Sequence, residues 1–318
     1  MKVKLFTDTD LDGLGCGIIA RIAFGVNVEI AYCSYRNLNE RVTEFIQEEE
    51  KQSYYLFITD LAVNKEVEGK LAERFNRGHH VQVIDHHVTA LYFNEYDWGK
   101  VVPIDVHGKQ TSATSLFYDF VIEQGWLQPT KALAEFVDLV RQYDTWEWEA
   151  NNNLLAKQLN DLFFIFGRED FETDLLKRLQ ANKSTFQLTE VEQKLLAIES
   201  EKIERYIKKK NNQLIKAPIQ NYSIGIVHAE QYLSELGNAL NKLNDQLDMI
   251  ALVNVGSKKI GFRTIHDKVN VAEFARQFGG GGHPKASGCD LNEDTFRLFV
   301  TDVFHLLPLK EEQRDKDM

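Results

Sequence analysis

The chain has 318 residues, of which 43% are hydrophobic and 27% charged, and its formal net charge is −11. This length allows two domains, and the composition is that of a globular protein rather than a disordered or fibrous one. Because an acidic protein repels polyanions, the charge argues against a partner such as long duplex nucleic acid. The three cysteines form no CxxC pair, which argues against a disulfide framework and a structural zinc site.

The amino terminus, MKVKLFTDTD, lacks the apolar core of a signal peptide. No apolar run in the sequence reaches the length needed to span a bilayer. We therefore expect a cytoplasmic protein without a membrane partner. The sequence leaves open whether the protein is a monomer or a homodimer.

Residues 1 to about 125 alternate between short apolar runs and amphipathic stretches. Strands are predicted at 3–6, 28–33, 54–58 and 81–84, with helical patterns such as 64–76 between them. This alternation predicts an α/β fold whose amino-terminal domain is a doubly wound parallel sheet. In such sheets ligands bind beyond the carboxyl ends of the strands, so the residues that follow each strand are the ones to inspect.

Acidic and histidine residues follow three of these strands. They are Asp8, Asp10 and Asp12 after the first strand, Asp60 after the third, and Asp85, His86 and His87 after the fourth. A further aspartate, Asp144, ends a helical pattern in KALAEFVDLVRQYDTWEW. The first cluster alone would also fit an acidic surface turn. However, crowded carboxylates repel one another unless a cation lies among them, and three strand ends deliver these residues to one edge of one sheet.

Aspartate and histidine ligands without a thiolate suit Mn²⁺, Mg²⁺ or Co²⁺. Six candidates are available, which is enough for two ions that share a bridging carboxylate: Asp8, Asp10, Asp12, Asp60, His86 and Asp144. Two such ions activate a water and stabilise the leaving oxygen of a phosphoryl displacement. The sequence therefore predicts a phosphoesterase with two divalent ions, Mn²⁺ first among them.

The carboxyl-terminal half has a different organisation. The pattern is helical from about 130 to 210, and the charged stretch 189–216, which lacks Gly and Pro, predicts a connecting helix. A second α/β pattern follows, with strands predicted in YSIGIVH, MIALVNV and KIGFRTI and helices at about 231–245 and 271–278. We predict a first domain at 1–185, a helical linker at 186–216, a smaller α/β domain at 217–308 and a frayed tail at 309–318.

Two further stretches suggest contacts with a ligand. GKQTSATSLFYDF places Ser112, Thr114 and Ser115 at the start of a helix, which fits either a phosphate site or ordinary helix capping. FGGGGHPKASGCD follows an amphipathic helix, so its glycines predict a tight functional loop rather than a flexible linker. Such a backbone lets a ligand approach closely, and His283 and Lys285 add donors.

The motifs together resemble those of the DHH phosphoesterase superfamily. They are DxDxDG at 8–13, ITD ending at Asp60, the triplet at 85–87 and QYDTW around Asp144. GGGGHPKASG resembles the signature of the DHH-associated carboxyl-terminal domain. The superfamily includes the single-strand exonuclease RecJ, nano-RNases, cyclic-dinucleotide phosphodiesterases and family II inorganic pyrophosphatases, and the chain is most similar to the nano-RNase B type.

The resemblance implies roles for individual residues. Asp8 and Asp10 would serve a first ion, and Asp12, His86 and Asp144 a second, with Asp60 as the bridge. Many relatives have His where this chain has Asp8. The implied catalytic residues are Asp10, Asp12, Asp60, Asp85, His86 and His87, of which His87 would face the substrate phosphate. The implied nucleotide contacts in the second domain are Arg263, Gly280, Gly281, Gly282 and His283.

The resemblance also implies an activity, namely hydrolysis of short single-stranded oligoribonucleotides to mononucleotides, with phosphoadenosine phosphate as a further candidate substrate. The chain has neither the length nor the basic surface of RecJ, nor the sensory domains of cyclic-dinucleotide phosphodiesterases, nor the carboxyl-terminal signature of pyrophosphatases. A single-strand DNA exonuclease or a cyclic-dinucleotide phosphodiesterase is the alternative. A non-catalytic nucleotide sensor is disfavoured because the candidate ligand set is complete.

Overall fold

A computed structural model of the protein describes residues 1–181 and 184–291. The contacts divide the chain into two units, one ending at Leu196 and the other beginning at Ala197. The expected frayed tail at 309–318 lies outside the described residues. Within the described part of the chain, every helix is either too short or too polar to cross a membrane.

The first unit is built on a five-stranded sheet in which all neighbouring strands are parallel. The strands are β1 (Val3–Thr7), β2 (Val28–Tyr32), β3 (Tyr55–Thr59), β4 (Val81–Asp85) and β5 (Gly99–Val101), in the spatial order β2-β1-β3-β4-β5. The four strands predicted from the apolar runs are confirmed. β5 was not predicted because its three residues are too few to show a pattern.

Helices cover both faces of this sheet. They are α1 (Leu11–Phe24), α2 (Leu38–Gln47), α3 (Lys65–Asn76), α4 (Ala113–Glu123), α5 (Lys131–Asp144), α6 (Glu147–Ala150), α7 (Leu154–Phe166) and α8 (Arg168–Ala181). Alternate residues of the strands enter two cores: Leu5 and Phe57 pack with α1, α4 and α5, whereas Phe6 and Ile58 pack with α2 and α3. The doubly wound arrangement is thus confirmed.

The spatial order of the strands also marks where a ligand would bind. From β1 the chain first adds β2 on one side and then returns to add β3 on the other. The point between β1 and β3 is therefore a topological switch point, where the connecting helices leave towards opposite faces and open a crevice at the carboxyl ends of the strands. The residues that follow β1 and β3 line this crevice.

The second unit contains a six-stranded mixed sheet. Its strands are β6 (Ile215–Ile219), β7 (Tyr222–His228), β8 (Met249–Asn254), β9 (Lys259–Arg263), β10 (Gly281–Gly282) and β11 (Ala286–Asp290), in the order β10-β11-β9-β8-β7-β6. The long helix α9 (Glu190–Asn212) precedes it, and α10 (Leu233–Leu243) and α11 (Val271–Arg276) connect its strands. α10 and α11 each pack on a separate hydrophobic core, so the predicted smaller α/β fold is confirmed.

Two predictions for this unit differ from the structure. The connecting helix ends at Asn212, and Ile215 and Lys216 already belong to β6. The sequence carries no stop signal there because its first helix breaker, Pro218, lies inside β6, an edge strand where a missing N–H is tolerated. The glycine run is also not simply a loop, because Gly281 and Gly282 form β10 and pair with β11.

Candidate active site

The carboxyl ends of β1, β3 and β4 bring the predicted acidic and histidine side chains together. Their ligand atoms fall into three groups, each within 4.8 Å: Asp8, Asp10 and Asp60; Asp12, His86 and Asp144; and Asp60, Asp85, His86 and His87. Asp60 belongs to two of these groups and so connects Asp8 and Asp10 with His86. All six residues predicted as metal ligands therefore lie in one continuous cluster.

His86 lies at the centre of the second group. Its Nε2 is 3.4 Å from Oδ2 of Asp144, 3.5 Å from Oδ1 of Asp60 and 3.8 Å from Oδ2 of Asp12. Among the described residues, this Nε2 and the Oδ2 atoms of Asp60 and Asp144 are buried without a hydrogen-bond partner. Buried polar atoms seldom stay unpaired, and carboxylate oxygens with one imidazole are suitable donors for Mn²⁺ or Mg²⁺. The residues present therefore fit divalent metal ions.

The electrostatics of the carboxylates agree with that fit. Burial, together with the charges of Asp12 and Asp10, raises the pKa of Asp60 well above its ordinary value. The same causes raise the pKa of Asp144 to about 8. Burial and the neighbouring Asp12 raise the pKa of Asp10 to about 6. A cation among these groups would favour their ionised forms and reverse the shifts.

The backbone of Asp60 is unusual. Its φ is 62°, in the left-handed region that few residues other than glycine adopt. Directly after β3, the Asp60 N–H donates to the carbonyl of Ile84 at 3.1 Å, which ties the turn to the end of β4. Backbone strain of this kind persists where the surrounding structure enforces it, and it is frequent at functional sites. The strained turn sets the direction in which the Asp60 carboxylate points.

The carboxylate of Asp12 is held by the first turn of α4. Its Oδ2 accepts from the N–H of Ala113 at 2.7 Å and its Oδ1 from the N–H of Thr114 at 2.9 Å. The Thr114 hydroxyl in turn donates to the carbonyl of Asp12 at 2.6 Å. A helix amino terminus favours a negative charge, so the first turn of α4 is a suitable partner for this carboxylate and fixes its orientation.

This arrangement corrects the prediction that Ser112 and Thr114 bind substrate phosphate. Both residues are completely buried. Ser112 forms a capping box with Ser115, and the N–H groups that would have received a phosphate are occupied by Asp12. Of the two alternatives open from the sequence, capping is the one found. No local pattern could indicate the contact with Asp12, because the two partners are about a hundred positions apart.

Steric contacts explain why the DxDxDG motif ends in glycine at position 13. Asp10 caps α1 by accepting from the N–H of Gly13 at 3.0 Å. The chain there folds back so tightly that a Cβ on Gly13 would lie 2.2 Å from the carbonyl oxygen of Asp8. Only glycine fits, and the turn directs Asp8 and Asp10 to the same side as Asp60.

The Asp85 carboxylate forms hydrogen bonds with the two histidines that follow it in the chain. Its Oδ1 accepts from the N–H groups of His86 and His87 and lies 2.7 Å from Nδ1 of His87. The hydrogen bond that the Asp85 carboxylate accepts raises the pKa of His87, whose side chain is 53% exposed. His87 is thus an oriented imidazole that favours its cationic form at the solvent side of the cluster.

The second unit has a cleft of about 420 Å³ with a floor of glycines. Gly281 of β10 pairs with Gly288 of β11, which pairs with Gly261 of β9, so three side-chain-free positions lie side by side. Arg263 and Lys259 stand on either side of Gly261 along β9 and also line the cleft. A ligand can therefore approach the backbone of three strands closely, next to two cationic side chains.

The predicted nucleotide contacts divide into two sets here. Arg263, Gly280 and Gly281 line the cleft. Gly282 and His283 lie in the adjoining hairpin, where the His283 N–H donates to the carbonyl of Ala286 at 2.8 Å, and both are outside the described lining. Lys285 forms an ion pair with Asp267 at 2.7 Å. The sequence reasoning missed Gly261 and Gly288, although single glycines inside strand patterns signal a close backbone approach.

Comparison with known proteins agrees with these observations. A family model described as the DHHA1 domain matches residues 191–307. The oligoribonuclease NrnB of Bacillus subtilis (strain 168) is 48% identical over 308 residues, which cover 96% of this chain and 77% of that protein. The chain belongs to the DHH phosphoesterase superfamily. The recognition made from the motifs is confirmed.

Solved structures support the DHH fold along the length of the chain. A RecJ exonuclease bound to manganese is similar with a TM-score of 0.56 at 16% identity, covering 96% of this chain and 91% of that one. RecJ of Thermus thermophilus in complex with Mn²⁺ is similar with a TM-score of 0.55 at 15% identity, covering 96% of this chain and 52% of that one. At such identities the likeness concerns the fold.

Proposed function

We propose that this DHH-superfamily chain is a metal-dependent phosphodiesterase that hydrolyses oligoribonucleotides of a few residues to mononucleotides. The observation that carries the proposal is the continuous ligand cluster in which Asp60 connects Asp8 and Asp10 with His86. The 48% identity to a protein named an oligoribonuclease supports the class of substrate. Such a substrate fits the cytoplasmic location expected from the sequence.

The three groups in the cluster support an assignment of metal ligands. Asp8 and Asp10 would hold one divalent ion, and Asp12, His86 and Asp144 a second, with Asp60 shared between them. When bound, two such ions, Mn²⁺ in the first place, activate a water and stabilise the charge of the phosphoryl group. The orientation of Asp12 suits this role, because the first turn of α4 holds its carboxylate through two backbone N–H groups.

His87 would bind the substrate phosphate. Asp85 fixes its Nδ1, so its other ring nitrogen is left to donate, and the raised pKa favours the protonated ring. A cationic donor at a phosphodiester stabilises the charge that develops as the ester bond breaks, and it can deliver a proton to the leaving oxygen. Asp85 is then a positioning residue for His87.

We further propose that the second unit contributes substrate binding through its glycine-floored cleft. Arg263 and Lys259 are cationic donors suited to a phosphate or a nucleotide, and the glycines let such a ligand approach them closely. This assigns catalysis to the first unit, which ends at Leu196 rather than at residue 185, and nucleotide binding to the second. The net charge of −11 favours short substrates, which are captured by local contacts rather than by a basic surface.

The test is hydrolysis of labelled oligoribonucleotides over a length series that begins with dinucleotides, in manganese and in EDTA. We expect manganese-dependent release of mononucleotides, fastest on the shortest substrates. Asp60→Asn keeps the side-chain shape and should lower kcat on the order of a hundredfold or more, because a shared ligand is lost. Asp97→Asn, an exposed aspartate in a turn of the same unit, is the matched control and should keep full activity.

Parallel reactions with single-stranded DNA and with a cyclic dinucleotide distinguish the alternatives. A preference for long DNA strands would favour an exonuclease, and a preference for the cyclic substrate would favour a cyclic-dinucleotide phosphodiesterase. Near wild-type turnover by Asp60→Asn would contradict the assignment of a shared metal ligand.

A further inference from the structure

Trp146 is an aromatic residue that the fold leaves exposed to solvent. The residue is 53% exposed, although it follows Asp144, a candidate metal ligand, by only two residues. Two consecutive peptide units span at most about 7 Å, so the Trp146 backbone lies close to the ligand cluster. Its neighbours Tyr143 and Trp148 both pack against the core of the first unit, whereas Trp146 is not among the described residues that do.

The conformation of Trp146 is held firmly. Its φ is 63° and its ψ is 9°, a left-handed conformation that is unfavourable for a large side chain. The backbone N–H donates to the carbonyl of Tyr143 at 3.1 Å, and the indole Nε1 donates to Oε2 of Glu149 at 2.8 Å. The ring is also 5.7 Å from that of Trp148 in an edge-on contact. Backbone, indole and ring edge are thus all fixed while the ring remains open to solvent.

This combination is not what packing alone would produce. A tryptophan that stabilises the core buries its ring, and a residue in a left-handed turn without a special role is usually glycine or asparagine. Strain kept at a residue next to a functional cluster supports a functional hypothesis. A fixed, exposed indole is a surface on which a flat ligand can stack with little further loss of conformational freedom.

We propose that Trp146 is a stacking platform for the nucleobase next to the phosphodiester that is cleaved. The inference rests on the proposed function and deepens it by naming how a short substrate is held at the first unit. An acidic protein gains little long-range attraction for nucleic acid, so affinity for a short strand needs contacts other than charge. Stacking on an aromatic ring provides such a contact, and it accepts every base because each has a π-face.

The test compares a dinucleotide with its abasic analogue, in which one base is replaced by hydrogen, in wild type and in Trp146→Ala. In wild type, removing the stacked base should lower kcat/KM about five- to hundredfold. In Trp146→Ala, the intact dinucleotide should lose a similar factor, and removal of the same base should then cost almost nothing. This double cycle isolates the ring–base interaction from other effects of the substitution. Trp146→Tyr should restore most of the difference.

A binding measurement that does not depend on turnover accompanies the kinetics. A dinucleotide containing 2-aminopurine, added with manganese to the Asp60→Asn variant, should show fluorescence quenching that disappears when Trp146→Ala is combined with it. Phe164→Ala is the control, since Phe164 is exposed by 73% on α7, a helix without candidate ligands. It should leave both the kinetics and the quenching unchanged.

The outcomes separate the proposal from the function on which it rests. If wild type does not hydrolyse dinucleotides, the proposed function fails. If wild type is active but base removal costs Trp146→Ala as much as it costs wild type, the stacking role is wrong. Lower manganese affinity in both Trp146→Ala and Trp146→Gly, which accepts a left-handed backbone, would show that the residue serves to hold Asp144 and would also overturn the proposal.

Discussion

At the scale of single residues, the cluster at the carboxyl edge of the first sheet brings buried carboxylates close together, and their mutual repulsion is unfavourable. Asp60 and Asp144 are carboxylates whose ordinary pKa values of 3.8 are raised, and Asp60 adopts a strained backbone in addition. A fold maximised for stability would avoid both features. Their presence together is explained if the protein is stable and active with cations among these side chains.

The raised pKa values predict how stability depends on pH in the metal-free protein. Between about pH 4 and pH 8 the folded state keeps protons, on Asp144 above all, that the unfolded state has already released. The free energy of unfolding should therefore fall as pH rises through this range. Bound metal ions keep the carboxylates ionised, so the metal-loaded protein should lack this fall.

The measurement is the difference in Tm between protein in manganese and protein in EDTA. It should be larger at about pH 8 than at about pH 5, and taking the difference cancels groups that titrate equally in both samples. Asp60→Asn removes the shared metal ligand, so it should reduce the gain in Tm from manganese. Asp97→Asn should leave this gain unchanged. A gain that is the same at both pH values would contradict the assignment of these carboxylates as metal ligands.

At the scale of elements, the second unit offers its ligand a floor made of backbone. A Cβ on Gly281 would meet no atom within 4 Å, and Gly281 is not among the glycines with positive φ. A Cβ on Gly280 would lie 2.1 Å from the carbonyl oxygen of Gly288. The two neighbouring positions therefore separate the effect of filling the cleft from the effect of disturbing the fold.

We predict that Gly281→Val leaves the free energy of unfolding within about 0.5 kcal/mol of wild type while lowering kcat/KM on dinucleotides about tenfold or more. The Cβ of the new side chain enters open space above the glycines, where it meets no atom within 4 Å. Gly280→Ala should instead destabilise the protein by about 1–3 kcal/mol through overpacking. Chemical denaturation and steady-state kinetics on both variants provide the measurement. Full activity in Gly281→Val would exclude the cleft as part of the substrate site.

The sequence predicted those elements whose signal is local. β1, β3 and β4 are apolar runs of four or five residues, and the aspartates that follow them are read directly from the chain. β10 consists of two glycines, which carry no hydrophobic pattern, and β6 contains a proline and exposed positions. Such strands are defined by their neighbours in the sheet rather than by their own residues.

The same distinction applies to the site. Convergence of the metal-ligand candidates could be predicted because the carboxyl ends of parallel strands share one edge. The partner of Asp12 could not, because the amino terminus of α4 reaches it only through the tertiary fold. For that reason the sequence left a phosphate open as the ligand at Ser112 and Thr114, whereas their helix already binds a carboxylate from within the chain.

At the scale of the whole molecule, the boundary between the units lies further along the chain than the sequence pattern indicated. Phe186 and Leu196 are buried in the core of the first unit. The Phe186 ring packs 5.9 Å from that of Phe136, and Arg178 forms an ion pair with Glu192 at 2.6 Å. The start of α9 therefore contributes to the stability of the first unit.

We predict that a fragment of residues 1–212 folds and shows the manganese-dependent rise in Tm, whereas residues 1–185 form a less stable fragment. Loss of the buried Phe186 and Leu196 side chains alone should cost several kcal/mol, at about 2–5 kcal/mol for each large apolar side chain. The longer fragment should hydrolyse dinucleotides poorly, since it lacks the second unit and the orientation that this provides. Wild-type rates from the fragment would rule out a substrate role for the second unit.

The glycines at the bottom of the cleft limit which substitutions can alter its ligand preference. At Gly261, Gly288 and Gly281 the ligand would meet peptide groups, so every substitution adds atoms and none can remove any. Variation at the floor can only make the cleft shallower, whereas variation at its walls, Arg263 and Lys259, can alter charge and reach in either direction. New substrate preferences in this unit are therefore accessible through the walls, and libraries that randomise the three glycines should return almost only loss of binding.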